Sequence, residues 1–324
     1  GYLSYDRIMQ VGIDLGATKI ESVVLSDDGK EHFREREPSP QSYDETINSI
    51  KKIVINIEKK FKKKINVGLC HPGAIISKTG KVKNANNSSW LNNRTLQKDI
   101  SKELNKNVYC ENDANCLALS EATDGSAKNY KTVFGLILGS GCGGGLVINK
   151  EIITGANNHA GEWGHNPLPY FGLIDDEVSP LSKDSIMVPN ISIEKYVSGK
   201  GLEDLYFEIY KKKIPANEIF KNYETNKKFI NNFYNRLSRS LSTLINTIDP
   251  EVIVFGGGLS NEIRDFNLLR EMTGNFAGTR NINTVFIKPM YGDASGVRGA
   301  ARLGRKIIDM NQVSLFDRNT KERL

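Results

Sequence analysis

The spacing of apolar residues changes several times along this chain, and each change marks an element. Gln10–Leu25, QVGIDLGATKIESVVL, sets two β-rich stretches either side of a glycine-containing turn, which predicts a hairpin. DDGK at Asp27–Lys30 is a second turn signal, so the chain opens with three antiparallel strands. From Tyr43 to Phe61 the period lengthens, and Ile47, Ile50, Ile53, Val54 and Ile57 fall on one helical face. NVGLCHPGAI at Asn66–Ile75 returns as a strand that ends in Pro-Gly. Asn107–Cys110, NVYC, predicts another strand, with a helix beginning near Asp113.

The succession then repeats. Thr132–Ile148, TVFGLILGSGCGGGLVI, reads as strand, glycine-rich turn and strand, with a further turn at Asn149-Lys150. Lys228–Ile248 is a long amphipathic helix carrying Phe229, Phe233, Leu237, Leu241, Leu244, Ile245 and Ile248 on one side, with Pro250 beyond its end. Glu251–Gly258, EVIVFGGG, is a buried strand emptying into glycines, and Gly292–Gly304 is a glycine-rich turn leading into a closing helix. The same unit therefore begins at Val11 and again at Thr132, with no short-period repeat. Two α/β domains with a cleft between them are expected, and 324 residues suit two cores.

Composition narrows the class. Hydrophobic residues make up 39% and charged residues 25%, ordinary for a soluble globular protein. No apolar run approaches the roughly 18–20 residues of a membrane span, and no basic stretch followed by an apolar one opens the chain. Met9 is a candidate natural start, and 1–8 and 311–324 are expected to be flexible tails. Cys70, Cys110, Cys116 and Cys142 form no C-x-x-C pair, so reduced, buried thiols in a cytoplasmic protein are expected. The net charge of +6 is concentrated in KKFKKK at 59–64 and KKK at 211–213. Without interleaved aromatics or zinc-finger spacing these read as a solvated helix end and a linker, and neither a nucleic acid nor a membrane is expected as a partner.

Three glycine turns carry candidate chemistry. Asp14, Gly16 and Thr18 form D-x-G-x-T, where glycine lets backbone amides approach a phosphate, Thr18 and Lys19 add a hydroxyl and a charge, and Asp14 could hold Mg²⁺ directly or through water. Gly139, Gly141 and Gly144 match G-x-G-x-x-G, but a dinucleotide fingerprint must open a helix. Here β-rich LVINKEII follows, so a hairpin is expected and the NAD reading is set aside; no P-loop motif is present. Gly256–Gly258 is the third run. Asp113 stands where a strand meets a helix, a place where Asp serves as an N-cap.

DLGAT at Asp14–Thr18, ENDAN at Glu111–Asn115, Gly139–Gly145, AGEWGH at Ala160–His165 and VFGGG at Val254–Gly258 together resemble the ROK family of sugar kinases, within the actin/Hsp70/hexokinase superfamily. The resemblance runs from about Gln10 to Leu303. It implies two actin-like ATPase (ribonuclease H-like) domains with a central cleft, a smaller one of 9–118 plus about 297–310 and a larger one of 119–296. It implies Asp113 as catalytic base, with Gly73, Asn112, Asp113, Glu162, His165 and Glu194 binding the sugar. Gly16, Thr18, Lys19, Gly139, Ser140, Gly141, Gly256, Gly257 and Gly258 would bind the nucleotide, Asp14 would serve Mg²⁺, and ATP and Mg²⁺ are the implied cofactors. Asn84 and Asn86 would lie on a lid, and Trp163 would either stack on the sugar or belong to the core. A homodimer is implied as well.

VKNANNSSWLN, AGEWGHNPLP and GDASGVRGAA look most like fructokinases, so D-fructose to fructose 6-phosphate is the leading expectation. The alternative is an N-acetylglucosamine or N-acetylmannosamine kinase, and the rival of another class is a non-catalytic sugar sensor. The family's repressors carry a helix-turn-helix ahead of the phosphate motif, which here is reached by residue 14, so a kinase is expected. One departure stands out. Where the family has a C-x-C-G-x-x-G-C zinc site, the cysteine positions hold Ser185, Met187 and Ser192, and no cysteine follows Cys142. Zinc is therefore not expected, His165 is left for the sugar, and the loop 170–189 should be held by packing of Phe171, Leu173, Ile186 and Met187.

Overall fold

A computed structural model of the chain describes residues 8–177 and 191–305, grouped in two units. The first comprises 8–124, 154–159 and 293–305. Its elements are β1 (Met9–Leu15), β2 (Lys19–Ser26), β3 (Glu31–Pro38), α1 (Tyr43–Phe61), β4 (Asn66–His71), β5 (Ala74–Ile75), β6 (Val82–Lys83), α2 (Leu96–Leu104), β7 (Val108–Asn112) and α3 (Asp113–Thr123), closed by a helix over 295–305.

The sheet runs β3-β2-β1-β4-β7, with β1 antiparallel to β2 and parallel to β4, and β4 parallel to β7. Alternation along each strand feeds both faces. Val11, Ile13 and Val24 join the core beneath α1 and α2, while Val23 and Leu25 pack on Val297 and Ala301 of the closing helix. That helix lies so close to the sheet that a Cβ on Gly12 would sit 2.2 Å from the Val297 carbonyl oxygen, which glycine alone permits. The helix α1 follows its apolar stripe, opens where Ser42 caps the Glu45 amide, and stops at Lys62 in the left-handed region.

The second unit comprises the described residues of 125–153 and 160–292. It contains β8 (Thr132–Leu138), β9 (Cys142–Ile148), β10 (Glu151–Ile153), α4 (Ile193–Val197), α5 (Gly199–Tyr210), α6 (Ala216–Lys221), α7 (Tyr223–Thr247), β11 (Val252–Gly256), α8 (Phe266–Phe276) and β12 (Val285–Ile287). Its sheet runs β10-β9-β8-β11-β12 with the same strand directions as the first. The repeated unit predicted from Val11 and Thr132 is thus a repeated topology, the ribonuclease H-like arrangement. Helix α7 starts five residues before the predicted stripe. Asn226 interrupts it with non-helical angles, accepting from the Tyr206 hydroxyl at 2.8 Å and donating to the Ile219 carbonyl at 2.9 Å.

All four cysteines are free and buried. No helix among the described residues is long and apolar enough to cross a membrane.

Candidate functional site

In the first unit the β1–β2 turn is closed by the Gly16 amide donating to the Lys19 carbonyl at 3.0 Å, leaving Thr18 and Lys19 exposed. Asp14 lies just before it. Its carboxyl is wedged among Cys70, Gly296 and Asp113: a Cβ on Gly296 would come 3.0 Å from Asp14 Oδ2 and 3.6 Å from the Cys70 sulfur. Burial, and then the negative charge of Asp113, push the Asp14 pKa up to about 7, against the pull of the Cys70 thiol and Lys19.

Asp113 is the first residue of α3, and the cap before it is already filled. Asn112 Oδ1 accepts from the Asn115 amide at 2.8 Å. Asp113 Oδ1 accepts from the Ala114 amide at 3.0 Å, and the residue is exposed. Of the two roles open to Asp113, the N-cap therefore belongs to its neighbour. Nearby, burial lowers the His71 pKa, and its Nδ1 lies 2.8 Å from the Pro72 carbonyl, which assigns the proton to Nδ1 of a neutral ring. The chain then turns at Gly73 with φ of 74°. Asn84 and Asn86 are exposed on the following loop.

In the second unit the Gly139–Gly141 turn is braced from behind. The Gly139 and Ser140 carbonyls accept from the Gly199 and Lys200 amides at 2.7 and 3.1 Å, at the start of α5. Glu194 on α4 takes the Cys142 amide at 3.1 Å. Among the described residues nothing accepts from the Ser140 or Gly141 amides, so the turn presents two donors while the Gly139 and Ser140 carbonyls turn to α5 and the Gly141 carbonyl takes the Gly139 amide at 3.0 Å. Gly257 has φ of 85° and backs onto the end of β8, where its Cβ would lie 2.4 Å from the Leu138 carbonyl oxygen. Two of the predicted glycine runs, Gly139–Gly141 and Gly256–Gly258, therefore meet. Gly256 itself is buried in β11, while Gly257 and Gly258 are exposed.

Glu162 and His165 lie close together, with Nε2 3.5 Å from Oε2. Burial first, then the charges of Glu194 and Glu162, raise the Cys142 pKa. Trp163 belongs to the core: it is 3% exposed, donates to the Gly143 carbonyl at 3.0 Å and meets Phe134 edge-on. Ser192, one of the three positions where cysteine is absent, caps α4 through the Lys195 amide; Ser185 and Met187 lie outside the described residues.

Packing holds the segment after His165 less than expected. Phe171 does pack on Tyr196, but Leu173 is 55% exposed, and Ile186 and Met187 lie outside the described residues. The anchor is ionic. Arg236 and Arg239 of α7, both fully buried, converge on Glu177. Two arginines inside the stripe of an amphipathic helix were the available signal for this cluster. Cys70 and Gly296 beside Asp14 carried none, because they reach it from distant parts of the chain.

Asp14 fits a Mg²⁺ that keeps most of its ligands as water and phosphate oxygens, since its carboxyl beside the exposed Asp113 carboxylate leaves negative charge to be neutralised. No group of three or more His, Cys, Asp or Glu residues able to hold a metal occurs among the described residues.

Residues 10–307 match the model of the ROK family. The chain belongs to the ROK family. It is 37% identical over 306 residues to an N-acetyl-D-glucosamine kinase of Histophilus somni, covering 91% of this chain and 98% of that one. It is 36% identical to another from Haemophilus influenzae, over 91% and 99%. Among solved structures it resembles a ROK hexokinase from Thermus thermophilus, with a TM-score of 0.79, 22% identity and coverage of 91% and 97%. A ROK family glucokinase from Streptomyces griseus, solved with glucose and AMPPNP, aligns with a TM-score of 0.68 at 21% identity over 92% and 99%. The fold is the actin-like ATPase fold shared by these ROK proteins.

Proposed function

We propose that this ROK protein is an ATP- and Mg²⁺-dependent N-acetyl-D-glucosamine kinase that phosphorylates the 6-hydroxyl of the sugar. The observation that carries the reading is the 37% identity to an N-acetyl-D-glucosamine kinase along almost the whole of both chains. The turns described above, and the Asp113 carboxylate at the start of α3, support it.

Asp113 accepts the proton of the 6-hydroxyl as that oxygen attacks the γ-phosphorus, a role left to it because Asn112 caps α3. The amides of Ser140 and Gly141 donate to phosphate oxygens, with Gly257 and Gly258 on the same nucleotide. Gly16, Thr18 and Lys19 form the other phosphate turn. Asp14 would hold Mg²⁺, which neutralises phosphate charge when bound. Gly73, Asn112, Glu162 and His165 hydrogen-bond the sugar, where an unmatched hydroxyl leaves a polar group unpaired. Glu194 divides its carboxylate between the Cys142 amide and the sugar.

The relatives favour the N-acetylhexosamine alternative over fructose. Of the three stretches that pointed to fructose, Val82–Asn92 holds no carboxylate, and part of its polar content serves its own shape. Asn92 Oδ1 accepts from the Ala85 amide at 3.0 Å, and Asn84 sits at φ of 60°. A homodimer working in the cytoplasm completes the proposal.

The test is ADP release from ATP·Mg²⁺ with N-acetylglucosamine, N-acetylmannosamine, glucose, mannose and fructose. The expected result is a kcat/KM for N-acetylglucosamine at least tenfold above the rest. A fructose preference overturns the substrate. If no sugar is phosphorylated but one raises the melting temperature, the protein is a sensor and the kinase reading fails.

A further inference from the structure

Helix α7 drives two guanidinium groups into the core of the second unit, where a buried charge survives only if paired. Arg236 and Arg239 are both 0% exposed. Arg236 Nε donates to Glu177 Oε2 at 3.0 Å, and its Nη2 pairs with Asp176. Arg239 Nη1 donates to Glu177 Oε1 at 2.9 Å and to the carbonyls of Pro169 and Tyr170 at 2.9 and 3.1 Å. Glu177 Oε1 also takes the Gly172 amide at 3.2 Å. One face of the Tyr196 ring on α4 receives Arg236 at 5.3 Å.

The backbone held this way is the backbone that carries the sugar-facing groups. Immediately before Pro169, the Leu168 amide donates to the Ile191 carbonyl at 2.7 Å and the Ile193 amide to the Asn166 carbonyl at 2.8 Å. Those two bonds tie the segment bearing Glu162 and His165 to the start of α4, which bears Glu194. We infer that Arg236, Arg239 and Glu177 form a buried ionic clamp that sets the position of Glu162, His165 and Glu194, so that they act as positioning residues for sugar binding. The kinetic part of this inference rests on the proposed sugar-kinase reading; its structural part does not.

Glu177→Gln removes the charge and keeps the shape, and Asp176→Asn, at a partly exposed position, is the milder variant should the first fail to fold. Glu218→Gln, which breaks the exposed pair with Lys221, is the control. Hydrogen exchange of peptides covering 162–170 and 191–197 is compared with sugar and ATP kinetics. In Glu177→Gln, exchange in both peptides is expected to quicken at least tenfold and the N-acetylglucosamine KM to rise at least tenfold, with the ATP KM within twofold of wild type because a slightly displaced Glu194, unlike an absent one, keeps the Cys142 amide. Asp176→Asn should shift the same quantities about threefold, and Glu218→Gln none. Exchange quickening only within 171–177, or sugar and ATP KM rising together, overturns the clamp. If the wild type phosphorylates no sugar, the functional reading falls and the exchange of the two peptides alone decides the clamp.

Discussion

Asp113→Asn separates the proposed proton acceptor from the helix cap, because the cap belongs to the neighbouring Asn112. Asn112 caps α3 through the Asn115 amide, so Asn112→Ala should cost about 1 kcal/mol of stability. Asp113 contributes one hydrogen bond to the next amide and a favourable charge at the first turn, worth about 0.3–1 kcal/mol at an exposed position. Asparagine keeps the amide contact, so Asp113→Asn should be no less stable than Asn112→Ala. The loss of a general base is of another order, roughly 10²–10⁴ in rate, or about 3–5 kcal/mol in the barrier. The assay is ADP release at saturating sugar and ATP, with urea unfolding of both variants and sugar binding measured by calorimetry. Asp113→Asn should still bind sugar while kcat falls at least a hundredfold. A variant that keeps more than a tenth of wild-type kcat, or that loses clearly more stability than Asn112→Ala, would refute the assignment.

Two further changes test the flanking chemistry. Asp14 is held at a pKa of about 7 against an ordinary 3.8, so the folded protein binds a proton that the unfolded chain has released. Its contribution is full below about pH 4 and is lost as pH rises through 7, on the order of 4 kcal/mol in metal-free protein. Asp14→Asn should flatten that part of the stability curve, read by urea melts from pH 4 to 8, and a wild-type curve with no such decline contradicts the burial argument. Glu194→Ala should act on the nucleotide as well as the sugar, because the Cys142 amide behind the Gly139–Gly141 turn loses its charged acceptor. The ATP KM should rise roughly tenfold; a rise confined to the sugar KM would show that the turn stands without it.

Short-range signals were legible in the sequence. The stripe from Ile47 to Ile57 gave α1 its bounds, and the glycine turn between Leu138 and Cys142 appears as the β8–β9 hairpin. The doubled topology followed because each unit opens with a hairpin whose alternation is strong. What eluded it depended on distant pairings. The wedge of Gly296 and Cys70 against Asp14 joins three separate parts of the chain, and the Glu177 cluster joins a loop to a helix some 60 residues away. Apolar periodicity describes a helix face as buried or exposed. It does not say that a buried arginine on that face has found a carboxylate.

The same distinction bears on the proposed phosphate and sugar sites. The proposed phosphate turns are built from backbone amides, and the glycines that free those amides stand next to them in the sequence. Gly139 to Gly141 form a complete donor pair once α5 and Glu194 draw off the other groups. In the proposed site the sugar-facing carboxylates would work through their separation and tilt, which the inferred clamp sets through the bonds of Leu168 and Ile193 and the arginines. In the proposed site a few tenths of an ångström in that support would alter which hydroxyl or acetamido group finds a partner, without changing a motif residue. Substrate preference in this chain should therefore respond to substitutions at Arg236, Arg239 and Glu177, while the phosphate turns tolerate them.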